Sequence, residues 1–162
     1  MNKRNALLAT LTSLLVFAGC ATTPAPASIA DTAARTPQLT TLTKLINDAG
    51  MADTLRGAGP YTVFAPSDEA FKAVPAATLD ALGKDKERLK AVLAYHVLAG
   101  QVMALDVKNG PAKTLQGGSV ALSKAGTFVT VEDAVVTQAD LPATNGVVHV
   151  IDRVLMPPAA AK

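Results

Sequence analysis

Tryptophan is absent from these 162 residues, and cysteine and histidine nearly so, with one Cys and two His. Aromatic side chains make up 4% of the chain, so Leu, Val and Ala must fill most of any core. A lone Cys cannot form an internal disulfide. His96 and His149 are far apart in sequence, with no His-x-x-x-His motif and no Cys pair, so no metal site is expected. The Gly-x-Ser-x-Gly elbow of a nucleophilic serine is missing. Gly57-Ala-Gly-Pro60 ends in Pro, which removes an amide that a phosphate cradle would use. Glu132-Asp133 reads as a turn between strands, since an acid pair needs a cleft. No catalytic residue and no cofactor is expected.

Charge of one sign is lacking too. Lys and Arg number 15 against 13 Asp and Glu, and setting Lys3 and Arg4 aside balances the chain. No basic stripe with interleaved aromatics occurs, which argues against nucleic acid as a partner. The length suits one domain with a real core, and no internal repeat is visible.

What is present begins with a targeting signal. Lys3 and Arg4 make a positive start, and Ala6 to Ala18 is an apolar run. The run is short of the ~20 residues that span a bilayer and suits a secretory signal. Gly19-Cys20 follows, so residues 1–19 resemble a lipoprotein signal peptide, with Phe17 where such signals usually carry Leu. The resemblance implies acylation of Cys20 and a membrane anchor. Ala21 stands where inner-membrane retention signals carry Asp, which points to the outer membrane of a bacterial envelope. Residues 20–35, rich in Ala, Thr and Pro, read as an extended linker. The folded domain is expected over residues 36–158.

Thr36-Pro37 looks like a capped helix start, and Leu39, Leu42, Leu45, Ile46 and Ala49 give the helix an apolar face. Tyr61 to Ala65 is a compact strand. Ser67 looks like an N-cap, with Asp68 and Glu69 in the first turn complementing the helix dipole. Leu89, Val92, Leu93 and His96 share one helical face, which predicts a structural His96. His149 alternates in phase with Val147 and Ile151 on a strand, and phase alone leaves it either buried or open to solvent. From Gly100 onward the pattern turns to short β-prone runs: 102–107, 112–116, 120–123, 128–131, 135–137 and 147–155. Gly117-Gly118, Lys124-Ala-Gly126 and Asn145-Gly146 read as turns between them. Helices first and strands later predict an α+β fold.

Three segments carry a resemblance to the fasciclin domain. Thr62-Val-Phe-Ala-Pro-Ser-Asp-Glu-Ala-Phe71 is similar to the family's first box, Tyr95-His96 to its central pair, and Asn145 to Pro157 to its second box. The resemblance implies a wedge of two small β-sheets with helices packed around it. It also implies a non-enzymatic adhesion or surface-binding module, whose partner is a cell-surface protein, an envelope protein or a polysaccharide. Asp140 and Leu141 stand at the positions of an Asp-Ile pair assigned to integrin binding in animal relatives, with Leu replacing Ile, and Tyr95 and His96 match a pair assigned to adhesion. All four are candidate binding residues on that ground. A structural role in an envelope complex is the alternative, and a small-molecule binder or hydrolase is a third reading.

Overall fold

A computed structural model describes residues 27–157. The signal segment and Cys20 lie outside the described residues.

The chain opens with α1 (Ile29–Arg35), a 3-10 turn (Pro37–Leu39), α2 (Thr40–Asp48) and α3 (Ala52–Arg56). Strand β1 (Tyr61–Pro66) follows, then α4 (Asp68–Lys72), α5 (Ala76–Lys84) and α6 (Lys86–Tyr95). The remainder is β2 (Val97–Ala99), β3 (Gly110–Lys113), β4 (Ser119–Ala125), β5 (Phe128–Val131), β6 (Ala134–Ala143) and β7 (Gly146–Ile151). The α+β class and the helices-then-strands order are as expected.

The strands form one seven-stranded sheet in the order β2-β1-β7-β6-β5-β4-β3. Strand β1 runs parallel to β7, and the other pairs are antiparallel. The two small sheets of the expected wedge are halves of this sheet, joined through β6. Ala134 and Val135 pair with β5, and the rest of β6 pairs with β7. The edges also meet: Leu98 bridges Thr114, and Leu115 N–H donates to the Val97 carbonyl at 2.8 Å. The result is nearly a barrel, which leaves little open edge.

Strands β1 and β7 are covered on both faces. Val63, Ala65, Val148 and Val150 pack in the core beneath the helices, with Ile29, Leu42 and Leu89. Phe64 and Ile151 point the other way, into a second core with Tyr95, Leu98, Val120 and Val131. Near-continuous apolar runs are what a strand buried on both sides requires.

The structure corrects the linker. Residues 29–35 are helix α1, with Ile29, Ala30 and Ala33 buried. Ser28 caps it, accepting from Asp31 N–H at 3.3 Å. The helix lies along the side of β6 that β5 leaves free: Thr32 Oγ1 donates to the Pro142 carbonyl at 3.3 Å, and Thr144 N–H donates to the Ala27 carbonyl at 2.9 Å. Thr36 does not cap the next helix. Its hydroxyl turns back to the Thr32 carbonyl at 2.8 Å. Asp68, from another segment, takes over the start of α2 by accepting from Thr41 N–H at 2.8 Å and Thr40 Oγ1 at 2.7 Å.

Two β expectations change as well. The run 102–107 is not a strand, because its backbone groups bond to side chains instead of a ladder: Val102 N–H donates to Thr62 Oγ1, and Ala104 N–H to Asp140 Oδ1, each at 2.8 Å. The stretch 138–144, which falls between the expected runs 135–137 and 147–155, is largely strand. It carries register shifts between Val136 and Gln138 and between Gln138 and Leu141.

Asn145-Gly146 fixes how the helices meet the sheet. Asn145 Oδ1 accepts from Ile29 N–H at 2.9 Å, and its Nδ2 donates to the carbonyls of Leu55 at 2.7 Å and Gly57 at 3.0 Å. Gly146 has φ 155°, a conformation open mainly to glycine. A Cβ there would lie 1.9 Å from the Tyr61 carbonyl oxygen. Gly146→Ala is therefore expected to cost more than about 4 kcal/mol or to abolish cooperative folding; a wild-type thermal melt by circular dichroism would contradict the close approach. Ile29→Ala is expected to cost about 2–4 kcal/mol, and a cost near zero in urea unfolding would return α1 to the linker.

Candidate functional site

His96 ends α6 and is 2% exposed. Its Nδ1–H donates to the Val92 carbonyl at 2.8 Å, and its Nε2 accepts from Leu155 N–H at 3.0 Å. An amide can only donate, so the second bond requires a lone pair on Nε2 and a neutral ring. Burial lowers the pKa to about 4, against the opposing pull of the Val92 carbonyl. The ring ties its helix to the segment after β7, as the helical phase predicts.

Tyr95 packs in the second core, with Phe64 and Val120. It is 1% exposed, and its hydroxyl donates to Glu132 Oε1 at 2.6 Å, with the Ser119 carbonyl at 3.2 Å. Burial, then the bond and the charge of Glu132, push its pKa up to about 12. Glu132-Asp133 links β5 to β6, as expected of a turn. The neighbours Tyr95 and His96 thus spend their polar atoms on different partners, Glu132 and Ser119 for one, Val92 and Leu155 for the other.

His149 is brought to a candidate residue. It lies buried on β7, with its ring stacked on Phe64 at 5.6 Å between centroids and 26° between planes. Its Nε2–H donates to the Val102 carbonyl at 2.8 Å, and its Nδ1 accepts from Asp140 N–H at 3.1 Å. Burial lowers its pKa, while the Val102 carbonyl and the Asp140 charge oppose that shift. Asp140 has φ 57°. Its backbone serves His149 and its carboxylate serves Ala104, so its side chain is only 32% exposed. Leu141 is partly buried against the helix-side core and pairs with Val148. Side-chain exposure at this pair is therefore small. Large apolar exposure lies elsewhere: Leu105, next to the Ala104 that Asp140 bonds, is 82% exposed in the 101–109 loop, and Phe128 is 67% exposed at the start of β5. Exposure of a loop leucine leaves no mark in a single sequence.

Ser67 is the N-cap of α4, accepting from Ala70 N–H at 3.2 Å. An open groove of about 880 Å³ runs beside it, lined by Gln38, Thr41, Asp68, Lys72, Thr137 and Asp152 among others. Burial raises the Asp68 pKa, but the bonds from Thr40 and Thr41 outweigh it and hold the carboxyl below its usual range. Neither histidine lines this groove, and the Ser67 hydroxyl is engaged as the helix cap. Among the described residues, no group of three or more His, Cys, Asp or Glu is placed to hold a metal ion.

The neutral His96 makes stability depend on pH. An unfolded imidazole takes a proton near 6.5, and the folded one only near about 4. Between these values the unfolded chain binds more protons, so stability is full above the window and is lost as the pH falls through it. The difference corresponds to roughly 3 kcal/mol. The melting temperature is expected to fall steadily from about pH 7 to about pH 4.5. His96→Gln is expected to melt lower at neutral pH and to lose part of that slope; an identical slope in both proteins would remove His96 as its source.

The chain has clear relatives. A family model described as Fasciclin domain matches residues 37–157. Protein sll1483 of Synechocystis sp. is 37% identical over 140 residues, covering 85% of this chain and 78% of that protein. Immunogenic protein MPT70 of Mycobacterium tuberculosis is 40% identical and covers 81% of this chain and 69% of its own length. Cell surface glycolipoprotein MPT83 of the same organism is 41% identical, covering 81% of this chain and 61% of that protein. A solved FAS1 domain pair from the insect cell adhesion molecule Fasciclin I matches with TM-score 0.65 at 17% identity, over 81% of this chain and 51% of that one. That likeness concerns the fold, and this chain spans about half of the solved pair. With its family boxes now forming β1, α4 and β7, the chain belongs to the Fasciclin domain family.

Proposed function

We propose that this protein is a non-catalytic surface-binding or adhesion module, held at the bacterial envelope by acyl chains on Cys20. The observation that carries the reading is its identity over most of its length to a relative named as a cell surface glycolipoprotein. The sequence of the first twenty residues supports it independently. Two or three acyl chains at about 0.8 kcal/mol per buried CH₂ make a durable anchor. The side-chain chemistry agrees: both histidines and Tyr95 spend their polar atoms on the fold. The outer membrane is the proposed site, and the proposed ligand is another envelope protein, a cell-surface protein or a polysaccharide.

Contact would come from exposed surface. Leu105 and Phe128 are the most exposed large apolar side chains described, and burying one of them against a partner is worth about 2 kcal/mol. The double variant Leu105→Asp, Phe128→Asp is expected to reduce attachment or aggregation of cells while leaving the melting temperature within a few degrees; undiminished attachment would remove these residues from the contact. Fatty-acid labelling of intact cells tests the anchor. Label in the wild type and none in Cys20→Ser is expected, and equal label in both, or none in either, sinks it.

A further inference from the structure

We propose that Asp140 and His149 form a proton-operated latch that holds the 101–109 loop at Ala104, beside Leu105, at neutral pH and lets that attachment go in acid. The inference rests on bonding geometry and stands whatever the domain binds.

The first half of the loop is held by three side chains. Thr62 Oγ1 accepts from Val102 N–H at 2.8 Å, His149 Nε2–H donates to the Val102 carbonyl at 2.8 Å, and Asp140 Oδ1 accepts from Ala104 N–H at 2.8 Å. The second half is held separately, by Lys124, whose Nζ reaches the Leu105 carbonyl and whose N–H donates to Asn109 Oδ1. Asp140 and His149 are coupled: Asp140 N–H donates to His149 Nδ1 at 3.1 Å. The Asp140 carboxylate stands 4.0 Å from that same nitrogen.

This arrangement works in one protonation state. With Nδ1 bare, the imidazole accepts from Asp140 and donates to Val102. When a solvent proton joins Nδ1, that nitrogen becomes a donor and can no longer accept. Asp140 N–H then has lost its acceptor, and a buried cation faces a carboxylate one short rotation away. Turning Oδ1 from Ala104 N–H to the new N–H satisfies the charge with a charge-assisted bond and deprives Ala104 of its own. No covalent bond changes, and the single proton comes from water. Asp140 is one-third exposed, which gives the proton a route.

The surroundings leave this exchange to one charged group. From β6 the group facing His149 is Asp140; from β1 come the Phe64 ring and from the loop the Val102 carbonyl. Burial keeps the ring neutral at neutral pH, and the Asp140 charge favours its protonation on acidification. Asp106 and Lys108 lie on the loop itself, and both are exposed.

Hydrogen–deuterium exchange on the full chain, resolved by residue and corrected for the intrinsic pH dependence of exchange, reads the latch. From about pH 7.5 to about pH 4.5, protection at Ala104 is expected to fall about tenfold, the value of one charge-assisted bond, while Val102, still bonded to Thr62, and β1 and β7 keep theirs. His149→Gln can accept and donate at the same positions without titrating, so its loop protection is expected to stay flat. Asp140→Asn keeps the Ala104 bond and tolerates the positive φ. It removes the carboxylate, so its loop is expected to open only at lower pH, and this variant decides the question if the glutamine chain does not fold. Constant protection in the wild type, the same fall in His149→Gln, or joint loss in the loop and both strands would each overturn the latch.

Discussion

The side-chain amide of Asn145 bonds three separated stretches of chain at once: the first turn of α1, the end of α3 and the loop that leads into β1. Its own carbonyl accepts from Tyr61 N–H at 3.0 Å. An amide offers two donors and one acceptor oxygen, and here each meets a backbone group that the helices or the loop leave open. The next residue, Gly146, lets β1 close against β7 at a distance that excludes any Cβ. The parallel pairing of β1 and β7 begins at Tyr61 and Gly146. Both cores are built on the two faces of that pair, so the packing of the helices and the filling of the near-barrel trace back to this dipeptide.

The two histidines serve the same architecture by opposite tautomers. His96 keeps its proton on Nδ1 and accepts at Nε2, while His149 does the reverse. Each joins a regular element to an irregular one: α6 to the segment after β7, and β7 to the 101–109 loop. A neutral imidazole suits this work because it accepts and donates at once, and a fold with few aromatics and no disulfide gains two buried crosslinks from it. The cost is sensitivity to protonation.

The readable parts of the sequence were those with period or punctuation. The alternation in Val147–Ile151, the face of Leu89, Val92, Leu93 and His96, and the cap at Ser67 all appear where expected. Helix α1 was illegible for a physical reason. Its two turns carry only Ile29, Ala30 and Ala33 as buried residues, too few to show a period, and an isolated helix of that length does not form. It exists because Asn145 and β6 receive it, and those partners lie more than a hundred residues away. The 101–109 loop failed in the other direction: its valines look β-prone, but Thr62, Asp140 and His149 satisfy its backbone before a ladder can. For the candidate residues, family likeness pointed to Asp140 and Leu141, while the contacts that occupy them come from β7 and the loop, which no local pattern encodes.

The placement of α1 would limit the reach of an anchored chain. For a chain anchored at Cys20, residues 21–26 are what separates the lipid from the bond between Ala27 and Thr144. Fully extended, six residues reach roughly 20 Å, much less than a linker running to residue 35 would allow. Such a module cannot sweep a wide volume in search of a ligand; its flank, where α1 meets the β6–β7 turn, would stay near the bilayer, and whatever it meets would have to come to the membrane surface.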